Sequence, residues 1–355
     1  MKKSLIALAV LAAAGAASAQ SSVTLFGIVD ATVAYGRASG TGSANKWQLT
    51  NSGYNSSRLG FRGVEDLGGG MSASFWLEAG LSNDNGTGVA TNLNNQATGA
   101  AGGSTGLVFN RRSTVSLAGG WGELRLGRDY TPQFWNLTVF DPFGTNGVGT
   151  TQTLNSIITG VTAVRASNTI GYFLPGNLGG FYGQAQYYLG ENVRNGAATE
   201  KDGTGAGVRL GFANGPFNVA LALSRTDYAT GKVKQNNLGG QWDFGIAKAM
   251  AHYSFDSNGN VDGKGWLIGG LFPVGAGEIR AAYSRYKTDV AGSPRTNKIA
   301  LGYVHNLSKR TAVYTTWARV KNQGGAAQAL NGSSFGTGVV NQNSSGLDLG
   351  IRHSF

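Results

Sequence analysis

The chain has no cysteine and only 6 prolines in 355 residues. Without thiols it can form no disulfide framework, thiolate nucleophile or cysteine-based metal site. Its three histidines, His252, His305 and His353, lie far apart in sequence and suggest no metal site. No HExxH pair and no Walker loop occur, so no residue is given a catalytic role and no cofactor is expected. Beyond residue 20 there is also no apolar run long enough to cross a bilayer as a helix.

The N-terminus is of a different kind. Lys2 and Lys3 open it, residues 5–14 are apolar, and Ala17-Ser18-Ala19 is a small-residue cleavage site. This pattern reads as a secretory signal peptide over residues 1–19, leaving a mature domain at 20–355. The formal charge of +11 includes the two leader lysines, so the mature chain carries +9. A basic balance attracts nucleic acid, acidic membrane surfaces or small anions, and export makes nucleic acid a poor partner.

The 58 glycines follow no collagen period, and the aromatic content of 10% argues against disorder. What recurs is dyad alternation. Val23, Leu25, Val29 and Val33 alternate with Thr24, Asp30 and Thr32. Phe75, Leu77 and Ala79 alternate with Ser74, Trp76 and Glu78, and Leu347, Leu349 and Ile351 with Asp348 and Arg352. Segments of about ten residues with this period suit tilted transmembrane strands. Short turns (65–70, 119–122, 175–179, 213–216, 273–277, 306–310) separate them from long polar stretches (82–106, 130–164, 190–205, 322–346). Short turns on one rim and long loops on the other predict an all-β antiparallel transmembrane barrel of 16 strands in one domain. The segments around Trp47 and at 239–264 give the weakest strand signals. A secreted β-sandwich is the soluble alternative, but its strands are shorter, about 5–6 residues.

Seven stretches then carry a resemblance: SSVTLFGIVD, SSRLGFRGVEDLGGG, WGELRLGRDYTP, DPFG, VRASNTIGY, HNLSKRT and the closing GLDLGIRHSF. In this order they resemble the general porins of Gram-negative outer membranes, in particular the 16-stranded trimeric branch, over essentially the whole mature chain. The resemblance implies a homotrimer set in outer-membrane lipid and lipopolysaccharide, with a water-filled lumen for passive diffusion. It implies that loop three, residues 130–164, folds inward as a constriction, and that terminal Phe355 signals to the barrel-assembly machinery. Wall arginines would face loop acids there: Arg58, Arg111 or Arg112, and Arg165, against Asp141.

Parity places Arg58, Arg62, Arg112, Arg125, Arg209, Arg280 and Arg352 on the polar face. An arginine turned to lipid at mid-bilayer would cost roughly 2–4 kcal/mol. Alternation with Val115 and Leu117 selects Arg112 over Arg111, unless a bulge reverses it. Asp30 and Glu78 share the lumen face and are expected to bond to wall arginines. Arg62, Arg125 and Arg352 are expected to pair with acids such as Glu65, Glu78 or Glu123, or to line the rims. Tyr187, Trp242, Tyr283, Tyr303 and Tyr314 suit interface girdles. Asp141 is the one carboxylate between Tyr130 and Arg165, so the basic side dominates and the pore is expected to prefer small anions over cations, admitting neutral solutes. A solute-specific channel and an adhesive or structural barrel are the alternative functions.

Overall fold

A computed structural model describes residues 22–99, 106–333 and 338–355. The expected leader, residues 1–19, lies outside them. Among the described residues the strands in chain order are β1 (Ser22–Ala38), β2 (Asn45–Asn51), β3 (Arg58–Gly68), β4 (Met71–Ser82), β5 (Thr87–Gly88), β6 (Arg112–Gly119), β7 (Gly122–Tyr130), β8 (Arg165–Phe173) and β9 (Phe181–Tyr188). They continue with β10 (Gly205–Asn214), β11 (Phe217–Tyr228), β12 (Gly231–Asp243), β13 (Lys248–Asn258), β14 (Val261–Val274), β15 (Gly277–Thr288), β16 (Arg295–Asn306), β17 (Thr311–Gln323) and β18 (Asn343–Ser354). One short helix, α1 (Pro132–Val139), follows β7.

Eighteen strands make sixteen staves. The first half of β1 pairs with β3, from Ser22↔Val64 to Ile28↔Arg58, and its second half with β2, from Ala31↔Asn51 to Arg37↔Asn45. β2 and β3 are therefore one stave, interrupted at residues 52–57. β5 adds only a two-residue hairpin to the end of β4. Every other neighbour in sequence is a neighbour in space, and β1 closes the ring on β18 from Ile28↔Ser354 to Ala38↔Ser344. Closure matters because an unpaired backbone group in hydrocarbon costs several kcal/mol. The weakly signalled region 239–264 forms regular parts of β12 to β14.

The alternation lands as the pattern requires. Val23, Leu25, Val115, Leu210, Ile268 and Leu349 are exposed on the outer face, while Thr32, Ser224, Asn237, Ser284 and Thr296 are buried inside. Tyr187, Trp242, Tyr283 and Tyr303 lie on the outer face as expected of a girdle. Tyr314 does not. It is 5% exposed and faces inward, where its hydroxyl bonds to the Asp30 carboxylate and lies 2.6 Å from the Thr32 hydroxyl. Its neighbour Val313 takes the outward position, so parity on β17 decides against the girdle.

Loop three, residues 131–164, runs inside the barrel. Pro132 stands in the first turn of α1, where its missing N–H breaks no helical bond. Phe134, Asn136 and Leu137 of α1 are buried, and the helix packs on β10 to β12. Asn136 donates to the Ala220 carbonyl at 2.9 Å and to Asn237 Oδ1 at 2.8 Å. Further along, Gln152 donates through its backbone to Ser284 Oγ at 3.1 Å and through Nε2 to Thr296 Oγ1 at 2.8 Å. Lys298 Nζ reaches the Val148 carbonyl at 3.1 Å. The wall has glycines where the loop lies on it: a Cβ on Gly239 would stand 2.1 Å from Phe140.

Candidate functional site

The loop narrows the lumen to a cavity of about 1160 Å³, bordered by α1 and its following turn and by residues of β1, β3, β4, β6 to β10, β13 and β15. Glu78 of β4 is the centre of the basic wall. Its Oε1 lies 2.6 Å from Arg111 Nε and 3.6 Å from Arg58 Nη1, and its Oε2 accepts from Trp76 Nε1 at 3.0 Å. Tyr130, the last residue of β7, accepts from Arg111 at 2.8 Å and from Arg165 at 3.0 Å. The Arg165 guanidinium also stacks on the Tyr130 ring at 4.5 Å. Arg58, Arg111 and Arg165 thus share a single carboxylate and a single phenol.

Next to this group, Arg112 lies 3.7 Å from Asp129 and stacks on Trp76 at 4.6 Å. Arg125 makes two bonds to Glu123, at 2.9 and 3.0 Å, a third to Asp129 at 2.6 Å, and covers the Phe173 ring. Arg112 and Arg111 both border the cavity. Arg111 precedes the first residue of β6, where alternation does not yet govern direction, and its backbone N–H is held by the Glu78 carbonyl at 3.0 Å.

Across the lumen, Arg209 donates to Asn136 at 2.8 Å, fastening α1, and stacks on Tyr182. Arg280 bonds Glu278 at 2.9 Å and the Tyr54 hydroxyl at 3.0 Å. Arg62 lies between Phe26 and Trp76, at 5.4 and 5.2 Å, and Arg352 lies 5.7 Å from the Tyr54 ring. Among the described residues neither forms an ion pair with an acid, the first of the two alternatives expected of them. Among the described residues, Arg125 alone of those three forms the expected ion pair.

Two carboxylates behave differently from expectation. Asp141 is 3% exposed and turned into its own loop, where it accepts the backbone N–H groups of Phe143, Thr145 and Thr151 at 3.0, 3.1 and 2.9 Å. Burial pushes its carboxyl above the ordinary range, while these three donors and Lys298 pull it back. It shapes the loop and presents little counter-charge to the passage. Among the described residues Asp30 bonds no arginine: it accepts from the Tyr54 and Asn55 amides at 2.9 and 2.7 Å, pinning the 52–57 interruption to the inner wall.

Residues absent from the sequence reading are Tyr130, Asp129, Tyr54 and Trp135. The DYTP stretch contains the first two, at the end of a strand where alternation no longer tells which side chains face the lumen. The helix holding Trp135 was visible in the spacing of Phe134 and Leu137 after Pro132. The three histidines take separate neighbours, His252 Thr151, His305 Tyr303 and His353 Thr311.

A profile of the Gram-negative porin family matches residues 5–325. Outer membrane porin protein 32 of Delftia acidovorans is 39% identical over 371 residues, covering 100% of both chains. This chain belongs to the Gram-negative porin family. As a porin it forms a passive channel for small hydrophilic solutes through the outer membrane. An anion-selective porin from Comamonas acidovorans superposes with a TM-score of 0.80 at 35% identity, covering 95% of this chain and 100% of that one. The outer membrane protein OmpT of Vibrio cholerae, solved in a trimer form, reaches 0.63 at 14% identity over 94% and 99% of the chains, a likeness of fold alone.

Proposed function

We propose that the channel prefers anions, and that Arg58, Arg111, Arg112 and Arg165 set that preference. The observation carrying this reading is the charge at the cavity: seven guanidiniums border it against three carboxylates, with Asp141 one of the three, and Glu123 and Glu278 offset only Arg125 and Arg280. Arg111 and Arg165 are held on fixed partners and supply a standing positive field. Arg58 and Arg112 have longer ion pairs, 3.6 and 3.7 Å, and side chains 26% and 20% exposed, so they have donors left for a passing solute. A unit charge attracts an anion at 4 Å by about 1 kcal/mol in water and about 4 kcal/mol near a protein surface. That range permits capture and release, which conduction needs. The anion-selective relative from Comamonas acidovorans supports the reading.

The working unit in this reading is a homotrimer in lipopolysaccharide-bearing membrane. Val29, Val33, Leu349 and Ile351 continue the outward apolar face over the β1–β18 seam, where lipid or a neighbouring subunit covers it. Phe355 closes that seam by exchanging backbone bonds with Gly27 at 3.1 and 3.2 Å, and its end of β18 is what the assembly machinery would read. Reversal potentials across a planar bilayer in a KCl gradient test the selectivity. Chloride preference with three equal conductance steps is expected, and potassium preference would refute the reading.

A further inference from the structure

The face that loop three turns to the lumen is unlike the basic wall opposite. Trp135, Thr138 and Val139 stand at i, i+3 and i+4 on α1, so one stripe of the helix borders the cavity. Trp135 is 39% exposed, while Phe134, which also borders the cavity, and Leu137 are buried. The indole therefore spends its apolar surface on the passage and not on holding the loop. Leu154 and Val164 of the same loop border the cavity with it. Its aromatic neighbour is Tyr130, with ring centroids 5.6 Å apart. Tyr130 in turn carries the Arg111 and Arg165 hydrogen bonds. An exposed apolar ring and the basic cluster thus adjoin across one tyrosine.

A small inorganic anion would use the guanidiniums alone. A dicarboxylate would press its second charge towards an apolar face, which burial disfavours. An aromatic monocarboxylate satisfies both sides at once. We propose that Trp135 is a specificity-determining residue that tunes this pore for aromatic monocarboxylates, the carboxylate engaging the arginines around Tyr130 while the ring lies along the indole. The inference rests on the anion preference proposed above.

The test uses the purified full-length protein in planar bilayers, with benzoate and cyclohexanecarboxylate as probes of equal charge and similar size. Each is titrated against the chloride current to find its half-blocking concentration. Benzoate is expected to block at about threefold lower concentration, the size of one aromatic contact. Trp135→Ser should bring the benzoate-to-cyclohexanecarboxylate ratio close to one, and Trp135→Phe should restore most of it. A merely structural role would weaken both probes together and leave the ratio unchanged. An unchanged ratio in Trp135→Ser, or equal block by both acids in the parent protein, overturns the inference even where KCl reversal potentials show anion preference. Potassium preference of the parent protein overturns the inference and the reading beneath it.

Discussion

Four of the seven arginines that border the cavity are proposed to set its selectivity, yet their partners divide them. Arg111 and Arg165 are each held by two bonds: Arg111 by Glu78 and Tyr130, Arg165 by Tyr130 and the Arg111 carbonyl at 2.9 Å. Arg58 has one long ion pair. Arg58→Ser should therefore cut the chloride-to-potassium permeability ratio by about fivefold, on the order of 1 kcal/mol for one wall charge, and leave the thermal unfolding midpoint in place. Arg165→Ser should lower both, because it also removes bonds that tie β8 to the start of β6. A stable Arg165→Ser barrel would show those bonds to be dispensable. Glu78→Gln removes the carboxylate shared by Arg58 and Arg111 and should raise anion preference; a fall would mean that Glu78 acts by positioning the two arginines and not through its charge.

At the scale of elements, loop three and the wall are shaped to each other. Gly147 has φ +60, and a Cβ there would lie 2.2 Å from the Gly53 carbonyl. Gly239 gives Phe140 its seat from the other side. Gly239→Val would overpack that seat at a cost of about 1–3 kcal/mol. It should lift the loop and give a flickering single-channel current, while strand content by circular dichroism is unchanged; a steady current of parental size would show that the loop tolerates the intrusion. The strands were legible from alternation because a two-faced wall between lipid and water repeats every second residue. The glycine seats were not, since a glycine in a strand looks like a bulge or a turn until its neighbour is known. Parity has no hold on Arg111, which stands one residue outside its strand, and alternation gives no sign of the 52–57 interruption, which breaks one stave into β2 and β3. The role of Asp141 was also illegible: a carboxylate facing a pore and one capping its own loop's amides have the same letter. The arginines themselves were legible, as guanidiniums on a polar face have few other places to be.

The whole molecule is a closed apolar cylinder with an excess of positive charge inside it, and these two properties set how selectivity should respond to salt. Backbone closure leaves no edge, so ions cross only by the lumen, past the wall arginines. The Debye length is about 10 Å at 0.1 M and about 3 Å at 1 M. At low salt an ion mid-lumen feels Arg111 and Arg165 together with Arg209 and Arg280 across the cavity. At high salt only groups in near contact remain effective, chiefly Arg58 and Arg112. The chloride-to-potassium permeability ratio should therefore fall steadily as KCl rises from about 0.1 to about 1 M, and Arg58→Ser should lose most of what the parent protein keeps at the high end. Reversal potentials measured at a fixed gradient over that series decide it. A ratio that stays level in the parent protein would place selectivity at direct contacts alone, and Arg111 and Arg165, held on Glu78 and Tyr130, would then serve the loop and not the ion.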